Sequence, residues 1–168
     1  VSFRPTEFAA DLANISGADE AATIASWRAA FYTYERQCIT DNGVSITASG
    51  AAHSTALDAF SAAMVGLSDL STGGAPKIQA AIIAFWDYIA NPSNIGFYFA
   101  GGSNMVKPAG LTGIQAAIEA TYPGNLAIDV NLPIATQRSM ACTNVANAIH
   151  GCHSGGTVRI GGVDRVIS

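Results

Sequence analysis

APKIQAAIIAFWDYIAN, residues 75–91, decides how the rest of the chain is arranged. Ile78, Ile82, Phe85, Trp86 and Ile89 recur at helical spacing and make one apolar face. Ala80, Ala81 and Ala84 keep its flanks small, so a neighbouring helix can come close. Pro76 suits a first helical position, where a missing N–H does no harm. Pro92 ends the run, because the residue before a proline is pushed out of the α region. The stretch reads as a buried central helix.

Composition bounds what can surround it. The 168 residues suit one domain, 1–168, with a sizeable core. Hydrophobic residues are 49% of the chain but aromatics only 8%, so much of the apolar character is alanine, which favours close-packed helices. Charged residues are 12%, against about 25% in an ordinary soluble domain. A surface that poor in charge points to cover by neighbouring subunits. A membrane protein is excluded on length: no run of about 18 residues is uninterrupted by polar groups, and the central helix carries Asp87. The net charge is −4 and the eight Lys and Arg form no stripe, which excludes direct nucleic-acid binding. The opening VSFRPTEFAADLA lacks the apolar centre of a signal peptide, and Val1 fits a chain whose initiator Met was removed. With no export signal, Cys38, Cys142 and Cys152 are expected as free thiols.

The other elements follow from period and punctuation. Residues 6–15 make a short helix with Phe8, Leu12 and Ile15 on one face and Thr6 as N-cap. A second helix starts at Ala18 or Asp19 and runs to about Cys38, with Ile24, Trp27, Phe31, Tyr34 and Cys38 as its core stripe. Arg28, Tyr32, Glu35 and Arg36 lie off that stripe, toward solvent or a partner, and Arg36 is spaced to stack on Tyr32. Asp41-Asn42-Gly43 signals a turn, and residues 44–48 alternate as a short strand. A third helix covers 51–67 through Leu57, Phe60, Met64 and Leu67, and a polar loop at 68–74 leads to the central helix. A long connection at 91–110 holds one aromatic cluster, Phe97-Tyr98-Phe99, which either tucks under the central helix or is offered to a partner. Residues 111–122 form a fifth helix stopped by Pro123-Gly124, and 125–131 form a loop, extended over 126–130. Residues 132–151 form a sixth helix, with Ile134, Met140 or Ala141, Val145, Ala148 and Ile149 inward. In the tail, 157–168, the period changes: Val158-Arg159-Ile160 and 163–167 alternate about Gly161-Gly162, a hairpin pattern. The fold class is therefore mainly α: five or six Ala-rich helices with a small C-terminal β-hairpin. A hairpin is marginal alone, so it packs on the helices, joins 44–48, or adds to a neighbouring subunit's sheet.

Few residues invite chemistry. Cys142, His150, Cys152 and His153 are zinc-ligand types within twelve positions. Their spacing lacks two separated knuckles, so Cys142 reads as a core residue and the histidines as favourable charges at a helix C-terminus. His53 with Cys38 or Ser54 and Asp58 makes a nucleophile–base–acid set only on paper, without any nucleophile-elbow motif, and His53 reads as exposed. The glycine pairs match no phosphate-binding loop. No catalytic residue, metal or cofactor is assigned.

One resemblance covers about the last 90 residues. An alanine-rich helix ending in Phe85-Trp86 is followed by a Gly/Pro loop with an aromatic cluster. Then come the short IQAAIEA helix and Cys142-Thr143-Asn144-Val145-Ala146-Asn147-Ala148-Ile149-His150, which runs into a Gly/Thr/Val hairpin. This order resembles small virion structural proteins of tailed bacteriophages. The resemblance implies a virion component of the neck, tail or capsid surface, assembled in the host cytoplasm, without enzyme activity. Its partners would be copies of itself and other virion proteins. The low charge independently suits a homo-oligomer packed on several sides. Contact residues are expected at Phe97, Tyr98, Phe99, Val158, Ile160, Val163, Val166 and Ile167. The alternative is a small helical binding or regulatory module of a bacterial cell, using the 91–110 connection as its partner surface. A metal-binding protein using Cys142, His150, Cys152 and His153 is the third reading.

Overall fold

The computed structural model describes residues 3–38, 40–44, 50–68 and 73–168. The described chain is mainly helical and carries a small antiparallel sheet. The long helices are α1 (Pro5–Ala13), α2 (Glu20–Glu35), α3 (Gly50–Met64), α4 (Gly74–Ala90) and α8 (Ile134–Gly151). Short turns α5 (Ile95–Tyr98), α6 (Ile114–Glu119) and α7 (Tyr122–Leu126), with a 3-10 turn at Ala109–Gly113, connect them.

α4 is the central helix. Ile78, Ala81, Ile82, Phe85, Trp86 and Ile89 are all buried. Pro76 lies in the first turn, where its missing N–H leaves no bond unmade. Asn91, ahead of Pro92, turns extended at ψ 128° and stops the helix. α3 lies along α4 in the most extensive contact of the fold, with Phe60 and Met64 buried. α1 lies along α8, which brings the two halves of the chain together.

α2 begins as its sequence asks. The Asp19 carboxylate accepts the Ala22 N–H at 2.8 Å, satisfying one of the orphan donors of the first turn. Glu20 reaches across to accept the backbone N–H of Gly66 at 3.0 Å and of Ser68 at 3.2 Å, tying the start of α2 to the end of α3. These bonds favour the carboxylate and hold Glu20 below the usual carboxylate range, the Ser68 hydroxyl contributing most. α1 differs in detail from its sequence reading. Arg4 occupies the N-cap position without a side-chain cap, and Pro5 opens the helix.

The sheet has the order β1-β2-β3, from Gly102–Val106, Thr157–Ile160 and Val163–Val166. The hairpin of β2 and β3 forms as its alternation predicts. Gly161 and Gly162 take φ of 59° and 81°, a left-handed pair that suits the twist of a two-residue hairpin turn. Its partner strand is β1 of the same chain, in antiparallel register with Met105 opposite Val158. β1 lies inside the 91–110 connection, which sequence reading left without a strand. Ile167 bridges Thr40 beyond the far edge of the hairpin. The strand expected at 44–48 falls almost wholly outside the described residues, as does most of the 68–74 loop.

Two boundaries shift further along. Pro123 does not end the structure there; it sits in the first turn of α7, which takes up Asn125 and Leu126. α8 spans Ile134–Gly151 but buries only Ala146 and Ile149, with Val145 and Ala148 half-buried against the core. Ile134, expected inward, is exposed; of the alternatives Met140 or Ala141, Met140 is exposed and Ala141 half-buried. The first half of α8 thus leaves two large apolar side chains, Ile134 and Met140, uncovered among the described residues.

The C-terminal end of α8 is fixed by close backbone packing. A Cβ built on Gly110 would stand 2.7 Å from the Cys152 carbonyl oxygen. Gly110→Ala must therefore push the 3-10 turn away from the C-cap of α8. The expected loss is about 2 kcal/mol, the scale of core overpacking, read from a urea unfolding curve.

Candidate functional site

The eight expected contact residues divide sharply. Tyr98, Phe99, Val158 and Ile167 are buried within the single chain. α5 supplies the reason: Ile95, Tyr98 and Phe99 follow three-and-four spacing and turn under the sheet and α4, while Phe97 points away. Val158 is the inward residue of β2. These four are corrected from contact surface to core. Ile160 is half-buried; Phe97, Val163 and Val166 remain exposed.

A larger apolar surface lies elsewhere. Tyr122, Leu126, Val130, Ile134 and Met140 are exposed, with Leu126 at 86%, Val130 at 79% and Ile134 at 82%. They occupy one continuous arm made of α7, its following loop and the first turns of α8. Polar bonds hold that arm in shape. Gln137 Nε2 donates to the Leu132 carbonyl at 2.7 Å and to the Val130 carbonyl at 3.1 Å. Asn144 Nδ2 donates to Asn125 Oδ1 at 2.6 Å, clamping α7 to α8. Arg138 donates to the Ile15 carbonyl, anchoring the arm to the segment after α1. Beside the arm runs a groove of about 430 Å³ lined by residues that include Ile128, Leu132 and Met140. Residues 120–137 contain a single charge, Asp129. The arm thus fixes its backbone without burying its large side chains. Sequence reading took 125–131 as a loop and turned Ile134, with Met140 or Ala141, inward; it did not find this surface.

The Cys–His group is distributed among other tasks. The Tyr34 hydroxyl, kept protonated by burial, shares a hydrogen bond with His150 Nδ1 at 3.0 Å. His153 is buried among Phe3, Tyr34 and Trp86. Its Nδ1–H donates to the Ile149 carbonyl at 2.8 Å. Burial disfavours the imidazolium and pushes His153 down to about 4, so it is neutral near pH 7. Burial raises the Cys142 and Cys152 thiols above their ordinary value. Among the described residues, no three His, Cys, Asp or Glu side chains gather as metal ligands do. No described helix is long and apolar enough to cross a membrane.

The second polar centre was missed. Glu35 and His53, both buried, pair through Glu35 Oε1 and His53 Nε2. Burial pushes the Glu35 carboxyl up to about 7; His53 and Arg36 pull it down by less. Its other oxygen, Oε2, is buried with no partner among the described residues. Asp58 instead pairs with Arg28 at 2.5 Å, and the Cys38 thiol is buried and held well above its ordinary value by desolvation and Glu35. The paper arrangement of Cys38 or Ser54, His53 and Asp58 therefore does not assemble: the acid on His53 is Glu35. The one available signal was a histidine early in a helix otherwise poor in polar residues of its size. Nothing in the sequence spacing joins it to Glu35. The chain matches no protein-family model, no curated protein and no solved structure.

Proposed function

We propose that this chain is a structural assembly subunit that works by packing against further copies of itself, and not by catalysis. The observation that carries the reading is the arm of residues 122–140. Large apolar side chains exposed on a polar-bonded scaffold need little further backbone ordering and gain burial when a second surface covers them. The face is almost free of charge, so a strongly charged partner finds no complement on it. A like face of a second copy does. Phe97 and, on β3, Val163 and Val166 are further exposed apolar side chains. The low overall charge and the resemblance of the C-terminal half to tailed-phage structural proteins favour a virion as the assembly. Other virion proteins would then be its further partners.

Light scattering across a concentration series tests this. The wild-type chain is expected to form oligomers. Leu126→Gln combined with Ile134→Gln should leave thermal unfolding within the usual surface-mutation range and return the chain to a monomer. A wild-type chain that stays monomeric at every concentration would remove the self-assembly reading and favour the regulatory-module alternative.

A further inference from the structure

A cleft of about 590 Å³ opens on the seam between α2 and α3, away from the arm. Its walls are chemically uneven. Ala25, Ala29 and Leu57 make an apolar side; Arg28, Tyr32, Arg36, His53 and Ser54 make a polar one. Two of the chain's eight Lys and Arg residues thus line one cavity.

The two arginines are not equivalent. Arg28 is committed. It pairs with Asp58 and donates to the Ser54 carbonyl at 3.2 Å and the Ser54 hydroxyl at 3.3 Å. Arg36 has no carboxylate partner among the described residues. It donates to the Tyr32 hydroxyl at 2.7 Å, and its guanidinium carbon lies 5.2 Å from the Tyr32 ring centroid. Stacking of this kind orients a guanidinium while leaving donors of its fork unused. The His53 ring stands 4.7 Å from the centroid of the same Tyr32 ring. Tyr32 therefore gathers Arg36 and His53 at one end of the cleft.

His53 is a second, independent pointer to a ligand. It is 5% exposed and lines the cleft, and Glu35 takes its Nε2, so Nδ1 is the ring nitrogen that this pair does not use. Glu35 backs its Nε2. A buried carboxyl behind an imidazole fixes the ring's orientation and leaves the opposite nitrogen for whatever enters. When Glu35 holds the proton, its O–H donates to Nε2 and the imidazole N–H moves to Nδ1. The cleft then holds a second donor beside Arg36.

We propose that the α2–α3 cleft binds a small organic anion, its phosphate or carboxylate group held by Arg36 and His53 and its apolar body against Ala25, Ala29 and Leu57. The volume lies within the 300–1,000 Å³ range of small-molecule sites. Arg36 supplies the planar donor fork that matches either oxyacid.

The test titrates phenyl phosphate, benzoate, inorganic phosphate and phenol into the purified chain, by calorimetry and by chemical-shift perturbation. Phenyl phosphate or benzoate is expected to saturate one site with Kd of about 1 mM or tighter, the better of the two naming the oxyacid. Inorganic phosphate should bind more weakly, lacking the apolar body, and phenol weakest of all. Arg36→Gln, at an exposed position, should unfold at the wild-type temperature and bind at least about tenfold more weakly, a loss of about 1.4 kcal/mol. Arg36→Lys should fall between the two. The proposal is overturned if neither anion saturates by about 20 mM, if phenol binds as well as the anions, or if Arg36→Gln binds like wild type.

Discussion

Trp86→Ala is expected to lower the stability of the chain by about 4 kcal/mol, the scale of a large aromatic truncated in a packed core. For a chain of this size that corresponds to a fall in Tm of about 10 °C. Trp86 is fully buried where α4 meets the end of α8. Its ring makes T-shaped contacts with Phe85 at 5.6 Å and with His153 at 6.1 Å. Removing it opens a void that neither helix can close alone, because α4 is also held along α3 and α8 is also held along α1. One atom qualifies the expectation. The indole Nε1 is buried without a partner among the described residues. Trp86→Phe deletes that unsatisfied donor together with part of the ring, and the two effects have opposite signs. It should cost about 1 kcal/mol. Urea unfolding of both variants, followed by far-ultraviolet circular dichroism, checks the pair. A Trp86→Ala loss below about 1 kcal/mol would mean that the core can collapse around α4 without it.

His53→Ala is the second large effect. It leaves Glu35 buried with neither carboxyl oxygen partnered among the described residues. Breaking such a pair costs about 3 kcal/mol when the stranded group is charged, and less when it is neutral. The loss must therefore depend on pH. Glu35 is raised from 4.5 to about 7 by the fold. Below pH 4.5 it is neutral in both folded and unfolded chains, and its burial carries no charge penalty. As pH rises from 4.5 to 7 the unfolded chain releases the proton and the folded chain retains it, so stability falls through that window. His53 is one of the groups that pull Glu35 down, so without it the fall extends to higher pH. Urea unfolding of His53→Ala should show a larger deficit against wild type at pH 8 than at pH 5. An equal deficit at both values would show that the pair acts by packing alone. His153 contributes the opposite slope: lowered from 6.5 to about 4, it withdraws stability as pH falls through that range. Glu35→Gln should remove the first slope and keep the second.

The central helix and the core stripe of α2 were legible because a buried helical face repeats within its own element. Ile78 to Ile89 and Ile24 to Tyr34 each carry their period locally. Glu35 was not legible. It adjoins Tyr34 on the helix and reads as a solvent charge; its burial depends on His53, on a different helix. β1 was not legible because GSNMV has one inward residue, Met105, and becomes a strand only when β2 offers its edge. The stacking of Arg36 on Tyr32, four apart on one helix, was legible for the same local reason as the helices. α8 shows the converse limit. Its apolar spacing predicts a helix correctly, but spacing cannot say whether anything covers Ile134. The buried fate of Tyr98 and Phe99 was readable in the same way as a core stripe, through their spacing from Ile95.

The closure of α1 on α8 also sets an order of events in time. Tyr34 meets His150 across 116 residues, and Arg138 meets Ile15 across 123. α3 and α4 are neighbours in sequence and can pair as soon as both are made. The ring cluster of Phe3, Tyr34 and His153 is completed only when His153 arrives, although Phe3 and Tyr34 can stack earlier. While the chain is being synthesised, Phe8 and Tyr34 can stack on each other, but the face they later turn to α8 stays in water until that helix has left the ribosome. During that interval they are the side chains a chaperone would grip.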